Sequence, residues 1–263
     1  MIDLLIIKII VSIAVTIGLS LLAEKVSTRF AGILLGYPLA AAIILFFIGI
    51  EQGTSFAAET SIWAINGLVA ELTFAFFFCV GILYFNKYRV IGSTILGLFG
   101  FFVSAFLIRY LPLNSKLISV IFALLFIVLS LFAYRNVKSV QIKDPIKFSH
   151  KVLLVRALFA TLVILAITGF AQILGQKWSG ILTSFPINMS VILILIAYHY
   201  KKENVLTLIK NAPVGLISMV IFLLSISYTY PLYGVYWGIF FSYVMATAYL
   251  LTYEFLIKNY IKI

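Results

Sequence analysis

Residues 29–38 read Arg29-Phe30-Ala31-Gly32-Ile33-Leu34-Leu35-Gly36-Tyr37-Pro38, and 148 positions later residues 177–186 read Lys177-Trp178-Ser179-Gly180-Ile181-Leu182-Thr183-Ser184-Phe185-Pro186. A basic residue, an aromatic one, a Gly-Ile-Leu core and an aromatic-Pro end recur in the same order without a gap. The likeness runs over Ala23 to Gly49 against Ala171 to Ala197, and in the next apolar run Gly67 falls opposite Gly215. Self-similarity at one fixed offset marks a duplicated unit. Leu/Ile-rich segments match one another by composition alone, so the basic, aromatic, Gly and aromatic-Pro positions carry the argument.

The repeat lies in a chain that is 64% hydrophobic and 10% charged, too few polar residues to cover a water-facing surface. A soluble globule is excluded on this reading. Apolar runs of roughly 20 residues recur, long enough at about 1.5 Å per residue to cross about 30 Å of hydrocarbon. The alternating ten-residue segments of a barrel are absent, so the spans are expected to be helical. Nine are expected, near 2–23, 30–50, 61–85, 90–110, 117–134, 152–174, 178–200, 206–228 and 231–254. The first lacks a basic leader and reads as a retained helix rather than a signal segment.

Orientation follows from the 19 Lys and Arg residues, of which Lys8, Arg109, Lys116 and Lys177 fall on one side of the nine-span arrangement and all the others on the opposite side. The positive-inside rule places the N-terminus outside and the C-terminus in the cytoplasm of a multi-pass cell-membrane protein. A net charge of +11 raises the question of nucleic acid, but the cations sit in short loops between apolar spans and no nucleic-acid partner is expected. The longest loop, Arg135 to Lys151, carries five of them around an Asp144-Pro145 turn. It reads as a topology determinant, with anionic lipid headgroups as the alternative contact.

The repeat maps spans 1 to 4 (residues 1–110) onto spans 6 to 9 (151–263), with a linker helix and the basic loop (111–150) between them. One intervening span turns the second unit over. The expected fold is therefore an all-α polytopic integral membrane protein of about nine transmembrane helices, built as inverted four-helix repeats joined by a linker helix. Such repeats have a pseudo-two-fold axis in the membrane plane, with the substrate site of a transporter near it.

The stretch Phe30 to Pro38, followed after the second span by Glu51-Gln52-Gly53, resembles the GlpM-like small membrane proteins, which have about four spans and an Ala-Gly-x-x-x-x-Phe-Pro helix closed by Glu-Arg-Gly. The resemblance covers residues 1–110 and, more weakly, 150–254, and implies duplication and fusion of such a unit. The second half departs from the pattern with Ser179 in place of the Ala and Lys201-Lys202-Glu203 where the acidic-Gly element would stand. The family brings no assigned activity with it, so the resemblance bears on architecture.

Chemistry is expected where the helices break. Pro38 and Pro186 lack an N–H, so the carbonyls of Leu34 and Leu182 lose their helical partners, and a free carbonyl in hydrocarbon must find another. Gly36, Thr183, Ser184 and Asn188 stand beside these breaks and supply small or hydrogen-bonding groups. The two breaks are expected to meet as a polar locus that binds a small solute or ion; the alternative is that the Pro and Gly residues serve close packing alone. Glu71, near the centre of the third span, is a rare intramembrane carboxylate and a candidate proton carrier or cation ligand, with Asn66 one turn away. Its repeat counterpart is Met219, so the two units are not chemically equivalent. A single structural hydrogen bond is the competing role for Glu71.

Lone Cys79 excludes an internal disulfide, and the two His residues stand at no metal-ligand spacing, so neither a metal nor a cofactor is expected. No phosphate loop and no nucleophile-base constellation occurs, and an enzyme is not expected. The expected partners are the bilayer, a small solute or ion, and room is left for a homo-oligomer. The function expected is a transporter or channel; the rival is a non-transporting membrane scaffold or envelope-assembly factor.

Overall fold

A chain this apolar satisfies its backbone polar groups most cheaply within each segment, and the computed structural model, which describes residues 2–25, 33–140 and 150–260, contains helices and no strand among them. The helices are α1 (Ile2–Lys25), α2 (Leu39–Gln52), α3 (Thr54–Tyr84), α4 (Arg89–Tyr110), α5 (Lys116–Ala133), α6 (His150–Gly169), α7 (Ala171–Thr183), α8 (Ile187–His199) and α9 (Lys202–Tyr260). Five apolar helical stretches, 33–52, 54–84, 89–110, 116–133 and 202–256, are long enough to cross a membrane, and α6 with α7 forms a further pair bent by 119°. Expectations about Gly32, the Asp144-Pro145 turn and most of the basic loop fall outside the described residues.

Burial sorts the helices into a centre and a rim. In α2, α3 and α9, 67% of the most apolar stretch is buried inside the protein, against 33% in α4 and 17% in α5. α3 is the hub, packed against α2, α4, α5, α7 and α9. The rim helices turn Ile95, Phe99, Phe106, Ile121, Val128 and Phe132 outward. A continuous apolar face of this extent suits hydrocarbon surroundings rather than water.

Three boundaries differ from the sequence expectation. α3 begins at Thr54, directly after Gly53, so most of the gap expected between the spans 30–50 and 61–85 is helix instead. Gly53 makes this possible at φ 91°, ψ 161°, a conformation that L side chains avoid. The expected span 178–200 is divided into α7 and α8 at Ser184–Pro186. In α9 the turn falls at Gly234 (φ 74°, ψ −177°), with Pro231 still inside the preceding helix. The Thr229 hydroxyl lies 3.1 Å from that of Ser242, thirteen positions on. In a straight helix that separation would be about 20 Å, so α9 is a helical hairpin, with arms 202–233 and 235–260.

The ion pair seen among the described residues is internal. Lys8 of α1 is 4% exposed and sends its ammonium to Glu51 at 2.7 Å and to the Thr168 hydroxyl of α6 at 2.9 Å. A buried ammonium is tolerated only with such partners. It ties α1, the end of α2 and the end of α6 together.

Candidate functional site

Proline decides where the site forms. It has no N–H to donate and disfavours helical geometry in the residue before it. Pro38 adopts φ −77°, ψ 50° and Pro186 φ −73°, ψ 56°, so the helix stops in both places rather than bending. The hydrogen bonds around the two breaks agree in kind. Gly36 N–H donates to Ile33 O at 3.1 Å and Ser184 N–H to Ile181 O at 3.2 Å; Leu39 N–H donates to Tyr37 O at 2.8 Å and Ile187 N–H to Phe185 O at 2.7 Å.

The carbonyls expected to be freed are not free. Leu34 O accepts from Tyr37 N–H at 3.2 Å and Leu182 O from Phe185 N–H at 2.9 Å, the tighter turn that commonly ends a helix. The unmet groups are donors instead. Neither α2 nor α8 has a side-chain cap, and their first bonds from the preceding turn come from Ala42 and Ser190. The amides of Ala40, Ala41, Asn188 and Met189 therefore meet no acceptor among the described residues.

Glycine lets the broken segments reach their neighbours. A Cβ on Gly67 of α3 would stand 2.7 Å from Ile181 O and 3.0 Å from Ser184 Cβ. A Cβ on Gly215 of α9 would collide with Ile33 O and lie 3.1 Å from Gly36 Cα. Gly67 and Gly215 are 148 positions apart, as are Ile33 and Ile181, and Gly36 and Ser184. Each break thus lies against the long helix that follows the other break. Gly180 makes the same kind of approach to Thr60, Trp63 and Ala64.

Between the breaks is a cavity with about 20 Å³ of water-sized space, lined by Leu35, Tyr37, Ala40, Ala41, Glu71, Thr183, Phe185, Ile187, Asn188 and Met219. That is room for about one water molecule. Glu71 is 4% exposed, and among the described residues neither a hydrogen bond nor an ion pair reaches its carboxyl group. Thr183 donates to Ser179 O at 2.7 Å, and the Tyr37 hydroxyl lies 2.7 Å from that of Thr247.

Of the residues singled out from the sequence, Glu71, Thr183 and Asn188 line this cavity. Pro38 and Pro186 precede the helices that start at it, and Gly36 lies against the α9 backbone. Ser184 donates to Ala64 O at 2.7 Å, a tie between break and hub. Asn66 is elsewhere: its amide donates to the Ser119 hydroxyl at 3.0 Å and to Leu113 O at 3.3 Å, fastening the start of α5. It lies five residues before Glu71, about 140° round the helix, which takes it off the cavity face.

Two features escaped the sequence reading. Tyr37 was noted only as part of the repeat, yet it walls the cavity. Arg156 was counted only among the cations of the more basic side, whereas it is 3% exposed and lines an apolar pocket of about 440 Å³ with Thr94, Phe159 and Ser190. The repeat offset could have flagged it, because Arg156 stands 148 positions after Lys8, a cation inside the first apolar run. Lys210 is held by the Val137 carbonyl at 2.5 Å. No group of three or more metal-ligating side chains occurs among the described residues. Searches of protein families, of curated proteins and of solved structures find no match to this chain.

Proposed function

We propose that this chain is a multi-pass membrane transporter or channel for a small solute or ion, and that the cavity between the proline breaks is its binding site. Residues 1–110 and 151–263 are read as two four-helix units of opposite orientation, joined by 111–150, giving nine spans with the N-terminus outside. The motif residues before Pro38 make a duplicated GlpM-like unit the proposed ancestor.

One observation carries this reading. Eight of the ten residues of the cavity wall pair at the repeat offset: Leu35 with Thr183, Tyr37 with Phe185, Ala40 with Asn188, and Glu71 with Met219. A cavity lined in such pairs lies on the axis that relates the units, where two nearly equivalent packings can open it to either side. The exchanged glycine contacts support the same axis, since each unit's break rests on the other unit's helix. A scaffold has no need of an uncompensated carboxyl group at its centre, which costs stability unless it is used.

The test is reconstitution of the full chain into liposomes with a panel of inorganic ions and small metabolites, beside an Ala40→Val variant. Valine adds two methyl groups to a wall that encloses about 20 Å³. Flux in the wild type and its loss in a variant of unchanged thermal stability is the expected result. Equal flux in both, or none in the wild type, would remove the proposal.

A further inference from the structure

We infer that the cavity takes a small inorganic monovalent anion together with a proton carried by Glu71, so that the two bind and leave as a neutral pair. This rests on the transport reading above and names the cargo of the same site.

The argument is one of charge. α2 and α8, of 14 and 13 residues, both start at the cavity wall, and both start uncapped. Each helix N-terminus carries roughly half a positive elementary charge, concentrated on its unmet N–H groups. Ala40, Ala41 and Asn188, three of the four residues with such amides, are in the wall. Two converging N-termini make a field of about one positive charge, the arrangement that favours an anion.

Glu71 is the independent second observation. It is nine-tenths buried and more, lines the same cavity and has no partner among the described residues. When ionised, it balances the two N-termini and the cavity is close to neutral. Protonation removes that balance and leaves the donors facing an uncharged acid, whose O–H is one more donor to an anion. A cation meets the reverse situation, because the helix starts oppose it in either state. The two breaks having closed their own carbonyls at Leu34 and Leu182, few acceptors remain to replace its water.

Among the described residues no charged side chain other than Glu71 lines the cavity. From the first break Glu71 is faced by Tyr37, whose hydroxyl pairs with Thr247; from α7 and α8 by Thr183 and Asn188; and from α9 by Met219. Cations on packed neighbours have contacts of their own, Arg89 of α4 with Ala197 O, Arg109 of α4 over the Trp178 ring, Lys116 of α5 with Ser227 O, Lys177 of α7 over the Trp63 ring and Lys210 of α9 with Val137 O, while Lys202 of α9 is exposed. At α2, Glu51 is held by Lys8.

The experiment uses proteoliposomes of the full chain with a pH-sensitive dye inside. Inward gradients of chloride and of nitrate are imposed as N-methylglucamine salts, and anion uptake is followed in parallel. Expected is acidification of the lumen with about one proton per anion, the ratio that leaves the site neutral. In Glu71→Gln, which keeps the shape and the neutral form, proton uptake is lost and the pH dependence of uptake disappears, and anion uptake occurs only when potassium and valinomycin supply the compensating charge. Proton movement driven by sodium or potassium gradients and by neither anion would overturn the inference and leave the transport reading intact. Anion uptake without protons in the wild type would overturn the coupling. If nothing moves, both readings fall.

Discussion

Gly67→Ala tests the contact that brings the second break to the hub helix. The added Cβ would stand 2.7 Å from Ile181 O and 3.0 Å from both Ile181 Cα and Ser184 Cβ, where ordinary contact begins at 3.4 Å. The nearest of these is a backbone carbonyl and has no rotamer to change. α3 and the end of α7 must therefore part by about 0.7 Å, a gap that forfeits a quarter to a half of the dispersion well for each atom pair along the contact. The Ser184 hydroxyl bond to Ala64 O, 2.7 Å long, stretches with it. Overpacking of this kind costs about 1–3 kcal/mol. Gly169→Ala is the control, since a Cβ there meets nothing within 4 Å and alanine only improves helix propensity. In a chain of this size the difference amounts to roughly 2–12 °C in Tm, read by scanning fluorimetry in detergent. A Gly67→Ala protein as stable as the Gly169→Ala protein would refute the close approach.

Three further substitutions examine separate features. Glu51→Ala leaves the Lys8 ammonium with the Thr168 hydroxyl and the face of the Phe47 ring; allowing for the partial exposure of Glu51, a loss of about 2–3 kcal/mol is expected, largely restored when Lys8→Met is added, and a double-mutant cycle on Tm measures it. Gly53→Ala meets no atom within 4 Å, so its expected loss of about 1–3 kcal/mol is purely that of a side chain at φ 91°, ψ 161°, and an equally stable variant would mean that the α2–α3 turn relaxes. In a Cys79→Ser background, Lys138→Cys should resist a membrane-impermeant maleimide applied to intact cells and Asn114→Cys should react, and the opposite pattern would reverse the proposed orientation.

The fold was legible wherever the sequence states a local physical constraint. Pro38 and Pro186 can be read directly, because a missing N–H interrupts a helix in any surroundings. What could not be read is how the chain repairs the interruption. Leu34 and Leu182 were expected to lack partners, yet a one-residue tightening gave each the amide of the residue before the proline and passed the deficit to the next helix's donors. Asn66 illustrates a second limit. One turn from Glu71 looks like proximity on paper, but five residues rotate its amide toward α5, where Leu113 and Ser119 take it up. Side-chain direction depends on the remainder after whole turns, and a chain apolar on all faces gives no stripe from which to fix it.

The places where the two units differ deserve more weight than those where they agree. Lys8 and Arg156 occupy one repeat position and are both buried, but the position that holds Glu51 in the first unit holds His199 in the second. Glu71 likewise faces Met219 across the cavity rather than another carboxyl group. Two carboxyl groups so close would compete for one proton, and the cavity would then have three charge states in place of two. With a single titratable acid the cavity has two charge states separated by one proton, which suffices to make binding of a charged solute conditional on protonation. On the proposed transport reading, the single acid at Glu71 opposite Met219 is what lets one proton set the charge of the whole site. Met219→Glu should accordingly abolish the one-to-one relation between proton and anion in the liposome assay while leaving the helices folded, and an unchanged ratio would show that Glu71 is not the group that sets it.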